Sequence, residues 1–298
     1  MTKADRTSLL ALPIVVLIGA AVALAGSYGG ASLGGIPVVL LCAALAFGIQ
    51  WVAYVPAYHL QSERFYDLTG SATFLSVTLL AVVLTSGPTA RAYLLFAVVV
   101  VWALRLGLYL SRRVRKAGTD ARFDEIKPLR FRFLLTWTLQ GLWVTITLAP
   151  ALAAITSGAR PPLGVLGVAG LAVWAGGFAF EVTADAQKSR FKADPANRGR
   201  FISTGVWAWS RHPNYFGEIV LWIGVALLAA PALRGWQWAT LVSPVFVFLL
   251  ITRVSGVPLL EKKADERWGG EEDYEVYKSQ TPVLVPRPFV AGRGARRR

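Results

Sequence analysis

Apolar runs of about twenty residues, repeated along most of the chain, leave this sequence few folds to choose from. They lie near 8–26, 36–58, 91–110, 132–154 and 162–185, with shorter or more polar candidates near 65–86, 214–231 and 236–257. Each is long enough for a helix to cross a bilayer, and lipid offers no partner for a backbone left outside helix or closed barrel. The expected fold class is therefore all-α: a polytopic integral membrane protein with seven or eight transmembrane helices, one domain over residues 1–298. Only 16% of the residues are charged and the mean hydropathy is +0.50, whereas soluble domains carry about a quarter charged residues. The first run lacks a small-residue cleavage box at a polar boundary, so it reads as a retained helix rather than a signal peptide.

The formal net charge of +14 and pI near 10.3 raise nucleic acid as a partner, but the distribution of the charge argues against it. Links at 27–35, 87–90, 155–161 and 232–235 are short, rich in Gly, Pro and Ser, and carry at most one basic residue each. The alternate links are basic: 111–132 holds Arg112, Arg113, Arg115, Lys116, Arg122, Lys127, Arg130 and Arg132, 186–212 is as dense, and the tail ends GRGARRR. That alternation follows the positive-inside rule and attraction to anionic membrane lipids. It assigns the basic loops to the cytoplasmic side, in a bacterial inner membrane, with no nucleic acid among the partners. Residues 287–298 read as a disordered basic tail. One cysteine, Cys42, excludes an internal disulfide or a CxxC centre, and His59 and His212 alone make no multi-histidine metal site.

Ionisable residues at membrane depth are costly and mark functional sites. Glu181 and Asp185 share one helix face at the end of an apolar run. Lys188, Lys192, Arg200 and other basic residues follow, and then His212, Asn214, Tyr215 and Glu218 open the next helix; Arg253, Glu261 and Tyr277 complete the group. Carboxylates and amides suit sugar hydroxyls or a carboxamide, while Arg and Lys suit phosphate oxygens. The pattern predicts a nucleotide cofactor at the membrane face. Neither GxGxxG after a strand nor GxxxxGK[ST] is present, so there is no Rossmann domain and side chains on helices and loops must hold the ligand. A second group, HLQSERFYDLTG, places Glu63, Tyr66 and Asp67 at the entry to a span, suited to polarising a carbonyl oxygen. Arg105 lies inside an apolar run and needs an acid, Glu63 or Asp67, and Gln140 sits mid-span where it can line the same cavity.

From FEVTADAQKSRFK through RFISTGVWAWSRHPNYFGEIVLWIG to EDYEVYKSQTPVLVP, the chain resembles the steroid 5-alpha-reductase family in its bacterial DUF1295 branch, and the likeness extends upstream to about residue 50. The reductase-like region is then about 50–285. The resemblance implies an NADPH-dependent reductase of the carbon–carbon double bond of 3-oxo-Δ4 steroids, acting as a monomer on an apolar, steroid-like substrate that enters from the bilayer. It assigns Glu181 and Asp185 to the adenosine and ribose end, Lys192 and Arg200 to phosphates, Asn214 and Glu218 to the nicotinamide, and Arg253 to the last span. Lys188, His212 and Tyr215 belong to the same cofactor site. Glu63 falls where the family contacts the 3-keto oxygen, with Tyr66 as second donor. Arg105, Trp102 and Gln140 are the substrate-side residues. Trp102 stands about where mammalian members have a tyrosine, and Val257 and Glu261 replace a histidine and a tyrosine. RHPNYFGE also resembles membrane methyltransferases of the isoprenylcysteine and phospholipid type, which bind S-adenosylmethionine. That ligand lacks a pyrophosphate to occupy the basic loop.

Overall fold

A computed structural model describes residues 3–117 and 123–288. The side chains of Arg112, Arg113, Arg115 and Lys116, residue Arg122, and the tail from 289 onward lie outside the described residues. The chain is all-α apart from a two-residue hairpin, β1 (Ser32–Leu33) with β2 (Ile36–Pro37). Among the described residues, eight helical segments are long and apolar enough to cross a membrane, the higher of the two expected counts. The helices are α1 (Lys3–Gly26), α2 (Val38–His59), α3 (Tyr66–Val83), α4 (Ala90–Ala117), α5 (Arg130–Thr156), α6 (Gly164–Ala193), α7 (Pro213–Ala229), α8 (Val242–Leu249), α9 (Val257–Trp268) and α10 (Glu272–Gln280).

The backbone divides into two compact units: one takes the chain up to Val168 and Val225–Ser243, the other Ala169–Gly224 and the chain from Pro244 onward. In the first unit α5 is the central helix, packed against α1, α2, α3 and α4. Its apolar window is 89% buried, against 22% for α1. Small residues allow that crowding. A Cβ on Gly141 would meet the Phe47 ring of α2 at 2.9 Å, and one on Gly70 of α3 would meet Gln140 Nε2 at 2.6 Å. Several hydroxyls of α5 are satisfied by its own carbonyls, as Thr145 Oγ1 on Gly141 O (2.8 Å) and Thr156 Oγ1 on Leu152 O (2.9 Å), so they can sit in an apolar core. Asp5 of α1 caps α5 from outside, its Oδ1 accepting from the amides of Phe131 and Arg132 at 2.9 and 3.2 Å.

Arg91, 3% exposed, ties three chain ends of this unit together. Its Nη1 donates to Leu228 O (2.6 Å), and its Nη2 donates to Pro162 O (2.6 Å) and Leu163 O (3.1 Å). The planar fork of a guanidinium suits such divergent carbonyls.

In the second unit the last span changes pitch. A π-helical turn at Leu250–Val254 follows α8, and the chain bends at Ser255–Gly256 before continuing as α9. Four aromatic rings gather beyond it: Phe201 lies 5.9 Å from Trp268, 5.3 Å from Tyr274 and 5.4 Å from Tyr277.

Candidate functional site

In the second unit α6 and α7 run antiparallel with glycines where they touch. A Cβ on Gly177 would stand 2.5 Å from Leu221 N, and one on Gly217 would stand 2.6 Å from Glu181 N; Gly224 abuts the backbone of Trp174. These pairs advance in one register, so a further turn sets Asp185 level with Pro213. Glu181 and Asp185 are both buried at that crossing, and Asn214 and Glu218 begin α7.

The loop between these helices is pinned to α6. Gly205 takes φ +63°, a backbone that favours glycine, and a Cβ there would run into Gln187. The turn it starts lets Val206 N donate to Gln187 Oε1 (3.0 Å) and Trp207 Nε1 donate to Ala184 O (3.0 Å). Lys188 Nζ then lies 4.5 Å from the Trp207 ring centre, a cation–π contact. Tyr277 donates its hydroxyl to Trp207 O at 2.7 Å, and burial pushes its phenol above the ordinary range.

Further on, residues 209–212 are held by the chain near its other end. Arg211 N donates to Pro282 O, Arg287 N to Trp209 O (both 2.9 Å), and Ser210 Oγ to Leu284 O (2.8 Å). Glu261 closes the arrangement, 2.7 Å from His212 Nε2 and 3.1 Å from Arg211 Nη1. A carboxylate can only accept, so Nε2 donates, and in the tautomer with its single proton there Nδ1 is an acceptor. That Nδ1 is buried with no hydrogen-bond partner among the described residues, and so is Asn214 Oδ1. The Tyr215 ring stacks against His212 at 5.8 Å. Lys192, Arg200 and Arg253 are exposed.

The residues expected on the substrate side lie in the first unit. Glu63 and Tyr66 are neighbours at the α2–α3 turn, with Tyr66 N donating to Glu63 O at 2.9 Å. Gln140 joins them by donating from Nε2 to Tyr66 O (3.2 Å), and its Oε1 is buried without a partner among the described residues. The Tyr66 hydroxyl donates to Thr136 O at 3.1 Å, and its ring packs edge-on to Phe123 and Trp137. Glu63 Oε2 is 2.8 Å from Lys127 Nζ, and the Arg105 guanidinium lies 5.4 Å from the Tyr109 ring. Arg105 sits more than a helical turn inside α4, whereas Lys127 belongs to the loop that folds over the α2–α3 turn. The hydrogen bond it donates to Glu63 holds the Lys127 ammonium above its ordinary range, against the opposing effect of burial. Trp102 packs edge-on between Phe74 and Trp143, 1% exposed, as part of the core.

Lys127, Gln187, Gly205, Trp207 and the glycines of α6 and α7 were not expected as site residues, although several of them lie in the stretches that carry the resemblance. Seven-residue intervals inside apolar runs, Gly170 to Gly177 in α6 and Gly217 to Gly224 in α7, are a sequence signal that points to a close helix pair.

No solved structure matches the chain. Among curated proteins it is similar to an uncharacterized protein of fission yeast, Schizosaccharomyces pombe, 25% identical over 216 residues. The match covers 62% of this chain and 60% of the yeast protein. Residues 53–281, which include Glu63, Lys127, Glu181, Asn214 and Glu261, match the family described as "Protein of unknown function (DUF1295)", and the chain belongs to that family.

Proposed function

We propose that this chain is an NADPH-dependent membrane reductase of the carbon–carbon double bond of an enone lipid, with 3-oxo-Δ4 steroids, reduced to 5α products, as the substrate class. The observation that carries the reading is the pair of buried acceptors, His212 Nδ1 and Asn214 Oδ1, at the start of α7. Buried acceptors are costly unless a donor reaches them, and a ligand carboxamide brings an NH₂ group that serves both. Glu181 and Asp185 suit ribose hydroxyls, and Lys188, Lys192, Arg200 and Arg253 suit the three phosphates. Tyr215 and Glu218 complete the nicotinamide end. When bound, NADPH supplies the hydride, which the β-carbon (C5) of the enone accepts. The ketone oxygen comes to the α2–α3 turn that carries Glu63 and Tyr66, where negative charge develops and a fixed donor lowers the barrier. Arg105, Trp102 and Gln140 shape the apolar side of the substrate site. By the positive-inside rule, the basic loops support a cofactor site on the cytoplasmic side.

Thermal unfolding in detergent tests the reading. NADPH is expected to raise the melting temperature of the wild type and S-adenosylmethionine to leave it unchanged. Asn214→Ala should weaken the NADPH effect about 10- to 100-fold in concentration, the loss of one well-placed hydrogen bond at a buried site. Protection by S-adenosylmethionine in place of NADPH would turn the assignment to the methyltransferase class. An Asn214→Ala variant that binds NADPH and reduces progesterone as the wild type does would remove its main support.

A further inference from the structure

The proposed reduction needs a donor at the ketone oxygen, and the two residues that the sequence offers for it are both otherwise engaged. Tyr66 has a single hydroxyl proton, and it is given to Thr136 O. Glu63 is 5% exposed and ion-paired to Lys127 at 2.8 Å, which keeps it an ionised carboxylate, an acceptor only. A carboxylate facing a carbonyl would repel the charge that develops there. Resting on the reading just given, we infer that Lys127 is the catalytic donor: its ammonium hydrogen-bonds the ketone oxygen of the substrate, and Glu63 holds it in place.

Geometry and donor count support this. Lys127 Nζ has three N–H groups. One meets Glu63 Oε2 (2.8 Å) and one faces Asp124 Oδ1 (3.2 Å), which leaves a third without an acceptor among the described residues. The lysine is only 13% exposed, so its position is not that of a solvated surface side chain. It is set there by the loop: Phe123, four residues earlier, is buried against Tyr66 and Phe133 (5.0 and 6.4 Å between ring centres), and Lys127 N donates to Phe123 O at 2.9 Å. A cation on a short aromatic-anchored turn, with two carboxylates fixing two of its protons, is a preorganised oxyanion partner.

The step balances simply. The hydride arrives at the β-carbon with its electron pair, the carbon–carbon π pair moves to form the enolate, and the carbonyl π pair moves onto oxygen. Lys127 stabilises that oxyanion by a charge-assisted hydrogen bond and keeps its proton. Water protonates the α-carbon and the ketone re-forms, so NADPH and one proton are consumed per turnover.

The test compares Lys127→Met, Glu63→Gln and the double variant, each in full-length purified protein, with progesterone as the probe. Lys127→Met should lower kcat by about 100-fold or more, the usual cost of an oxyanion donor, while NADPH protection in the thermal assay persists. Glu63→Gln should lose less than about tenfold, because the lysine remains. The double variant removes the ion pair as a neutral unit and controls for folding. It should melt near the wild type and still be as slow as Lys127→Met. Infrared difference spectra give a readout independent of turnover: the carbonyl stretch of bound progesterone should be lowered in the wild type and not in Lys127→Met. The opposite order, Glu63→Gln slow and Lys127→Met fast, or an unshifted carbonyl in the wild type, overturns the role of Lys127 alone. A wild type that neither binds NADPH nor reduces any enone overturns the proposed function with it.

Discussion

Gly176 and Gly177 are adjacent, chemically identical, and should respond to the same substitution with opposite signs. An added Cβ at Gly176 meets nothing within 4 Å, while at Gly177 it meets Leu221 N at 2.5 Å and Gly217 O at 2.7 Å. Both of those neighbours are backbone, which cannot rotate aside. Reaching an ordinary 3.4 Å contact requires α6 and α7 to part by roughly 0.9 Å. Overpacking of this kind costs about 1–3 kcal/mol, and a rigid contact belongs at the upper end. Alanine returns up to about 1 kcal/mol through helix propensity. Gly177→Ala should therefore lose about 2 kcal/mol, a fall in melting temperature of roughly 4–8 °C, and Gly176→Ala should gain up to about 1 kcal/mol. Thermal unfolding of both variants in the same detergent, followed by intrinsic fluorescence, is the assay. If the two shift in the same direction, the close approach of α6 and α7 is wrong, and with it the placement of Asp185 beside the start of α7.

Arg91→Met should strand the carbonyls of Leu228, Pro162 and Leu163, costing about 3 kcal/mol or more; Arg91→Lys, lacking the fork, should recover less than half of the lost melting temperature. A Met variant that melts like the wild type would show that those carbonyls find other partners. The Tyr274 phenol is pushed up to about 12 by burial and by the hydrogen bond it gives to Asp265. Its contribution is complete below the unfolded value near 10 and is lost as pH rises towards 12. Melting temperature should fall across that window, and Tyr274→Phe should flatten the fall; an equal slope in both proteins refutes the assignment.

The eight spans were legible because hydrocarbon thickness dictates both their length and their composition, and the polar residues at the α6 and α7 ends stood out for the same reason. The partner of Glu63 was not. Lys127 is 64 residues away in a loop with many basic residues, none of which stands out in the sequence as the partner of a particular acid. The sequence alone does not say what Trp102 packs against, because a large aromatic can line a pocket or fill a core equally well; its ring neighbours, Phe74 and Trp143, sit on other helices. Nor does the sequence separate Gly176 from Gly177, since an interface is a property of two helices and the chain displays them one at a time. The division into two units leaves no linker to notice: Val168 and Ala169 lie within one helix, Gly224 and Val225 within another.

The backbone bonds that join Trp209 and Arg211 to Pro282 and Arg287 carry a consequence for biogenesis. About seventy residues of further translation separate the two strands of this latch, so α7 enters the membrane while the stretch before it still lacks its partner. Nascent chains arrested anywhere in that interval should be cut readily by protease around residue 210 and gain resistance only once the 282–287 stretch clears the ribosome.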